Sequence, residues 1–194
     1  MKQAEFFFDF GSPASYLAAT QMDAIAARTG ATIVWRPFLL GAVFKATGNH
    51  SPAVVPAKSV WMNRDLERFA ARYGAPFRFN PHFPINTLTL MRAAAAMDLQ
   101  GALRPFADAV YRAMWVDGVN LNDPTAAAGA LQAAGFDPAA VLSAAESQQA
   151  KDRLRETTEE AVRRGAFGAP SIFVGQELYF GQDRLDFVEA ALNA

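Results

Sequence analysis

At 194 residues the chain is long enough for one domain with a sizeable core, and 18 Lys and Arg against 19 Asp and Glu leave a formal charge of −1, which argues against a nucleic-acid or anionic-membrane binder relying on diffuse positive charge. Hydrophobic residues at 52% with 19% charged describe a globular chain, not a disordered one, and no apolar run approaches the roughly 18 residues of a spanning helix. With no cysteine and only His50 and His82, disulfides, thiolate metal sites, a cysteine nucleophile and a multi-histidine metal centre drop out. The N-terminal MKQAEFFFDF carries acids inside its apolar stretch and no small-residue cleavage site, so it does not read as a secretory signal. A soluble, cytoplasmic, metal-independent protein is expected.

The first element is a buried strand over Glu5–Phe10, a short aromatic run closed by Gly11, Ser12 and Pro13. A helix follows from about residue 14, with Ser12 as N-cap, Pro13 at the first helical position and Gly30 as the stop. Leu17, Ala18, Met22 and Ile25 form its apolar stripe. Thr32–Arg36 is the second strand, ended by Pro37. Residues 38–58 read as loop. Six helices are then predicted, over 59–73, 87–99, 101–116, 124–134, 138–148 and 149–164. Leu103, Phe106, Val110 and Met114 give the clearest stripe, and Asp123-Pro124 and Asp137-Pro138 read as N-cap followed by proline. The charged face from Lys151 to Arg164 reads as a solvated helix with i,i+4 pairs. Ser171–Val174 and Glu177–Phe180 flank Gly175-Gln176 as a hairpin. Asp183 is expected to cap a last helix that turns Leu185, Val188 and Leu192 inward.

With the middle removed, the order is β-α-β followed by β-β-α. The fold class is therefore α/β: a thioredoxin-like fold with a mixed four-stranded sheet and an all-helical insertion. The expected division is 1–37 with 166–194 for the thioredoxin-like part and 38–165 for the insertion.

Two places have the residues for chemistry. Ser12 stands where a strand feeds a helix N-terminus, a position that favours negative charge. It is either a plain N-cap or a hydrogen-bond donor to a bound anion. In a thioredoxin-like fold the redox CxxC lies here, and Ser12-Pro13-Ala14-Ser15 has sulfur at neither end. Pro170 is either the residue that opens a strand or the proline that in thioredoxin-like proteins is cis and faces the helix start, with the Ala169 backbone turned toward a bound peptide. Asp9-Phe10-Gly11 spells a kinase motif but lacks everything upstream of it, and no GxSxG surrounds Ser12.

Several further segments bear on one family. They are Phe8-Asp9-Phe10-Gly11-Ser12-Pro13, Pro56-Ala57-Lys58 with Asp65-Leu66, Glu156-Thr157-Thr158-Glu159, Gly165 through Pro170 and Phe180 through Leu185. In this order the chain resembles the 2-hydroxychromene-2-carboxylate isomerases, DsbA-like proteins related to kappa-class glutathione transferases. The resemblance implies glutathione as cofactor and a small aromatic 2-oxo acid, or its cyclic hemiketal, as substrate. It also implies a homodimer. Ser12 matches the catalytic serine, facing the glutathione sulfur. Asn49 matches a cofactor contact, or is a turn residue; Lys58 matches a base near a cofactor carboxylate, or is simply solvated. Ala169, beside Pro170, would offer its backbone to the cysteinyl amide. Asp183 and Arg184 match the pair holding the γ-glutamyl end, with capping as the alternative for Asp183. Ala14 departs from the commoner Ser-Pro-Tyr-Ser and puts substrate identity in question. Arg36, Phe38, Trp61 and Asn86 are conceivable substrate contacts, with packing or solvation as their other roles.

A chain without cysteine that keeps a thiolate-favouring helix start suggests a borrowed thiol. An ordinary thiol of pKa about 8.5 is only about 3% ionised at pH 7. Two rival readings remain: a kappa-type transferase or peroxidase, and a non-catalytic DsbA-like peptide binder.

Overall fold

The computed structural model describes residues 2–194. Four strands, β1 (Gln3–Phe8), β2 (Thr32–Pro37), β3 (Ser171–Val174) and β4 (Glu177–Phe180), form one sheet in the order β2-β1-β3-β4. β1 runs parallel to β2 and antiparallel to β3, which pairs antiparallel with β4. This is the mixed sheet expected from the β-α-β and β-β-α ends, and the hairpin turns at Gly175-Gln176 as read.

The β-α-β crossover differs from expectation in one respect. It is two helices, α1 (Pro13–Ala19) and α2 (Met22–Thr29), broken at Thr20-Gln21. The Thr20 hydroxyl donates to the Leu17 carbonyl at 2.7 Å and closes the first helix early. Leu17, Ala18, Met22 and Ile25 are all buried across the break, so the apolar period carries no trace of it. Residues 38–58 are not loop throughout. They contain α3 (Leu40–Thr47), a 3₁₀ turn over Pro52–Val54 and the start of α4 (Pro56–Tyr73). α5 (Leu88–Leu99), α6 (Leu103–Trp115), α7 (Pro124–Ala133), α8 (Pro138–Glu146) and α9 (Gln148–Arg163) follow close to their predicted spans, and α10 (Leu185–Asn193) ends the chain. Asp123 and Asp137 cap α7 and α8, accepting from Thr125 and Ala139 N–H at 2.8 and 3.0 Å.

Alternation along β1 sorts its aromatic rings between two layers. Phe7 packs with Phe38, Val43, Ala161 and Phe173, from the side of α3 and α9. Phe6 and Phe8 join the larger core, which runs without interruption from α1, α2 and α10 into α5 and α6. Ring contacts carry it: Phe8 to Phe10 at 5.5 Å, Phe10 to Tyr111 at 5.1 Å and Tyr16 to Tyr111 at 5.7 Å between centroids. The Trp115 indole N–H donates to the Phe10 carbonyl at 2.8 Å, so that buried polar atom is paired.

The charged face of α9 is less solvated than its sequence suggests. Arg153 reaches Asp98 on α5 at 2.8 Å, and Glu160 bridges Arg36 on β2 as well as its own i+4 partner Arg164. Arg164 also meets Glu5 at 2.8 Å and lies over the Phe173 ring at 4.0 Å. Because the guanidinium is mostly covered and stacked, Arg164→Ala is expected to lower unfolding free energy by about 1–2 kcal/mol. Urea denaturation checks this, and an unchanged midpoint contradicts it. Arg36 and Phe38, conceivable as substrate contacts, are committed to this network and to the β1 core respectively. Among the described residues no helix is long and apolar enough to cross a membrane, and no three His, Cys, Asp or Glu side chains gather as a metal-holding group.

Candidate active site

Ser12 occupies the N-cap of α1 in extended conformation, φ −100° and ψ 111°, with Pro13 following as read. Its Oγ accepts from Ser15 N–H at 3.1 Å and donates to the Ala169 carbonyl at 2.9 Å. The hydroxyl is thus an N-cap and, at the same time, the link between α1 and a loop 157 residues away. The Ala169–Pro170 peptide is cis. Among the described residues nothing accepts from the Ala169 N–H.

Three further contacts assemble the surroundings. Asn49 follows the left-handed Gly48 that ends α3, and it is a turn residue in that its Oδ1 accepts from His50 N–H at 2.8 Å. Its Nδ2 donates to the Phe167 carbonyl at 2.8 Å, so it also borders the Ala169 loop. On the other side, Gly181 N–H donates to the Pro170 carbonyl at 3.1 Å and leads into a 3₁₀ turn over Gln182–Arg184. Gly181 has φ 97°, a backbone conformation that glycine adopts without the strain an L side chain would bring, and a Cβ there would also displace the Asp183 carboxylate, whose Oδ1 would stand 2.5 Å away. The turn packs on α1 and is held from α4 by the Tyr73 hydroxyl, which donates to the Gln182 carbonyl.

Asp183 does not cap the last helix. Its carboxylate pairs with Arg184 at 2.6 Å, and Arg184 takes the N-cap position of α10 with no side-chain cap bond. Leu185, Val188 and Leu192 do face inward. Asp183 and Arg184 are exposed beside the Ala169–Pro170 loop. Lys58 is exposed in the first turn of α4, and among the described residues no ion pair or side-chain hydrogen bond ties it to the rest. The structure therefore brings Ser12, Asn49, Ala169, Pro170, Asp183 and Arg184 onto one edge, with Lys58 attached only through its helix.

Sequence reasoning passed over Asp9, which lies immediately past β1 and is only 1% exposed. One carboxylate oxygen accepts from Gly11 N–H and the Thr87 hydroxyl, both at 2.8 Å; the other accepts from Leu40 N–H at 2.8 Å. Gly11 precedes α1, Leu40 opens α3 and Thr87 is the N-cap of α5, so one buried acid ties three helix starts. Burial pushes the carboxyl above its ordinary value, and these three donors pull it partly back. Burial also pushes the Tyr111 phenol well up, and the Asp9 charge adds to it. The signal was an acid inside an otherwise aromatic strand. Also unforeseen are Phe167 and Phe180, whose rings lie 4.6 Å apart and tilted by 46° beside Gly168, where a Cβ would meet Phe180 Cε2 at 2.7 Å.

The site can do a definite kind of chemistry. It offers a hydroxyl at a helix N-terminus, a strand-like backbone edge at Ala169 and a neighbouring acid–base pair suited to an amino-acid end. The chain has no cysteine and so no thiol of its own to place there. These features suit a ligand with a peptide-like backbone and an anionic or polar group placed at the helix start.

Comparison with known proteins bears on the same surface. The family model for the DSBA-like thioredoxin domain matches residues 3–193. A 2-hydroxychromene-2-carboxylate isomerase of Sphingobium xenophagum is 36% identical over 194 residues, covering 98% of each chain. Glutathione S-transferase kappa 1 of Caenorhabditis elegans is 30% identical over 208 residues, covering 100% of this chain and 92% of the relative. A solved 2-hydroxychromene-2-carboxylate isomerase is similar with a TM-score of 0.86 at 29% identity, over 98% of this chain and 94% of that one.

Proposed function

Because the chain belongs to the DsbA-like thioredoxin family, alongside the 2-hydroxychromene-2-carboxylate isomerases, we propose that it is a glutathione-dependent cis–trans isomerase. Its substrates are 2-hydroxychromene-2-carboxylate-type hemiketals and trans-o-hydroxybenzylidenepyruvate-type aromatic 2-oxo acids. One observation carries the reading: a serine hydroxyl at a helix start, 2.9 Å from the Ala169 carbonyl, in a chain with no cysteine.

When bound, glutathione supplies a thiol whose reversible addition to the conjugated substrate turns a double bond into one that can rotate. The protein's part is to ionise and orient that thiol. Making it mostly thiolate at pH 7 takes a pKa drop of about two units, roughly 2.7 kcal/mol. The α1 dipole contributes about 0.3–1 kcal/mol where exposed and up to about 2 where partly buried. A charge-assisted bond from the Ser12 hydroxyl, about 1.5–3 kcal/mol, provides the remainder. No general base beside Ser12 is required. Ala169 would present N–H and C=O to the cysteinyl backbone, Asp183 and Arg184 would hold the γ-glutamyl end, and Asn49 and Lys58 would serve the rest of the tripeptide.

Titrating glutathione into the protein while following thiolate ultraviolet absorbance is the direct test. Saturable thiolate formation near neutral pH, with isomerisation and no net loss of glutathione, is the expected result. Turnover undiminished without glutathione overturns the reading. The kappa relatives favour a second one, transfer, which net glutathione consumption would identify.

A further inference from the structure

We propose that the Ser12 hydroxyl is a coupled switch that restricts thiol activation to N-acylated cysteine thiols, the Ala169 carbonyl acting as the specificity-determining group; the inference rests on the glutathione reading above. A serine hydroxyl has a single proton. Here that proton is committed to the Ala169 carbonyl at 2.9 Å, while Ser15 N–H occupies one Oγ lone pair at 3.1 Å. Oγ therefore has no second proton to offer a sulfur. To stabilise a thiolate it must swing off Ala169, and the carbonyl then loses its donor just as an arriving ligand excludes water. Leaving that acceptor unpaired opposes the swing.

A ligand can remove the opposition only by bringing a replacement donor to the same oxygen. The amide N–H of an N-acylated cysteine meets this requirement, because it sits three bonds from the sulfur and Oγ and the carbonyl are only 2.9 Å apart. The Ala169 N–H, which nothing accepts from among the described residues, can pair with the ligand's own carbonyl in the manner of an added strand. Backbone pairing at Ala169 thus releases the proton that ionises the thiol. A thiol without the amide can occupy the site, but its sulfur does not gain the hydroxyl.

Two ligand pairs test the coupling. The first is glutathione against its depsipeptide, in which an ester oxygen replaces the cysteinyl N–H. The second is N-acetylcysteine amide against 3-mercaptopropionamide, which does not depend on the γ-glutamyl end. Binding and the pKa of the bound thiol are read from thiolate absorbance across pH, on the wild type and on Ser12→Ala. The other titratable groups around α1, namely Tyr16 on the helix, Asp9, Tyr111 and Arg112 packed about it, Tyr73 from α4, and Asp183 with Arg184 on the adjoining turn, are common to both members of each pair. Each thiol's bound pKa is compared with its own free-solution value, and the drop is expected to be larger by at least about one unit, a tenfold gain in thiolate, for the N-acylated thiol than for its partner. In Ser12→Ala that difference should vanish. Equal drops from the free values on the wild type, or a difference between the drops that survives in Ser12→Ala, overturn the switch while leaving glutathione binding intact. Failure of glutathione itself to bind the wild type overturns the underlying reading instead.

Discussion

Replacing Ser12 by alanine is expected to lower glutathione-dependent isomerisation by about 10- to 200-fold, the equivalent of one charge-assisted hydrogen bond of about 1.5–3 kcal/mol. The loss should appear as a raised pKa of the bound thiol, since the α1 dipole remains and only the hydroxyl is removed. A stability effect accompanies it. Ser12 Oγ caps Ser15 N–H and joins the Ala169 loop, and loss of an N-cap costs about 1 kcal/mol. The two effects separate experimentally: urea unfolding reports the cap, and absorbance of the bound thiol against pH reports the hydroxyl. A variant with full rate and full thiolate content removes serine from the scheme, whatever its stability.

The larger stability effect is expected at Asp9. Asp9→Ala leaves Gly11 N–H, Leu40 N–H and the Thr87 hydroxyl without their acceptor. Several buried donors stranded together should cost about 2–4 kcal/mol in unfolding free energy. The pH dependence has a definite sign. Burial holds the folded-state carboxyl above its unfolded value of 3.8, so the native state takes up the Asp9 proton first on acidification. Stability from that proton is fully present below the unfolded value and is lost as pH rises through the folded one. The gap between wild type and Asp9→Ala should therefore widen as pH falls from neutral toward about 4. Urea denaturation at several pH values checks it, and a gap that narrows toward acid contradicts the direction of the shift.

Asp9 also accounts for the main misreading of the sequence. α3 opens at Leu40 with Leu39 as an N-cap that has no side-chain bond, and Gly41 weakens its local signal. Its first N–H groups are satisfied from a distance, Leu40 by Asp9 and Leu39 by the Thr158 hydroxyl at 2.9 Å. No window around residue 40 contains either partner, so the segment reads as loop. By contrast, Asp123 and Asp137 bond within three residues of themselves, and both caps are legible. The 171–180 hairpin is legible for the same reason, its turn chemistry lying between its strands. The split of α1 from α2 escapes because burial stays in phase on both sides of Thr20. Asp183 fails as a cap because the adjacent Arg184 claims its carboxylate. At the site, Ser12 and the Ala169–Pro170 loop are identifiable from motif and order; the bond between them depends on tertiary structure and is not.

The unbroken series of rings from Phe8 through Phe10 and Tyr111 to Tyr16 has a mechanical consequence. Enzymes that close by swinging one lobe over another need a seam where few side chains interlock. Here edge-to-face and tilted rings interlock through the place such a seam would take, and buried Asp9 ties the adjoining helix starts together. On the proposed reading, reactants then enter and leave by excursions of exposed groups such as Phe167, Phe180 and the Arg184 guanidinium, not by gross rearrangement of the scaffold.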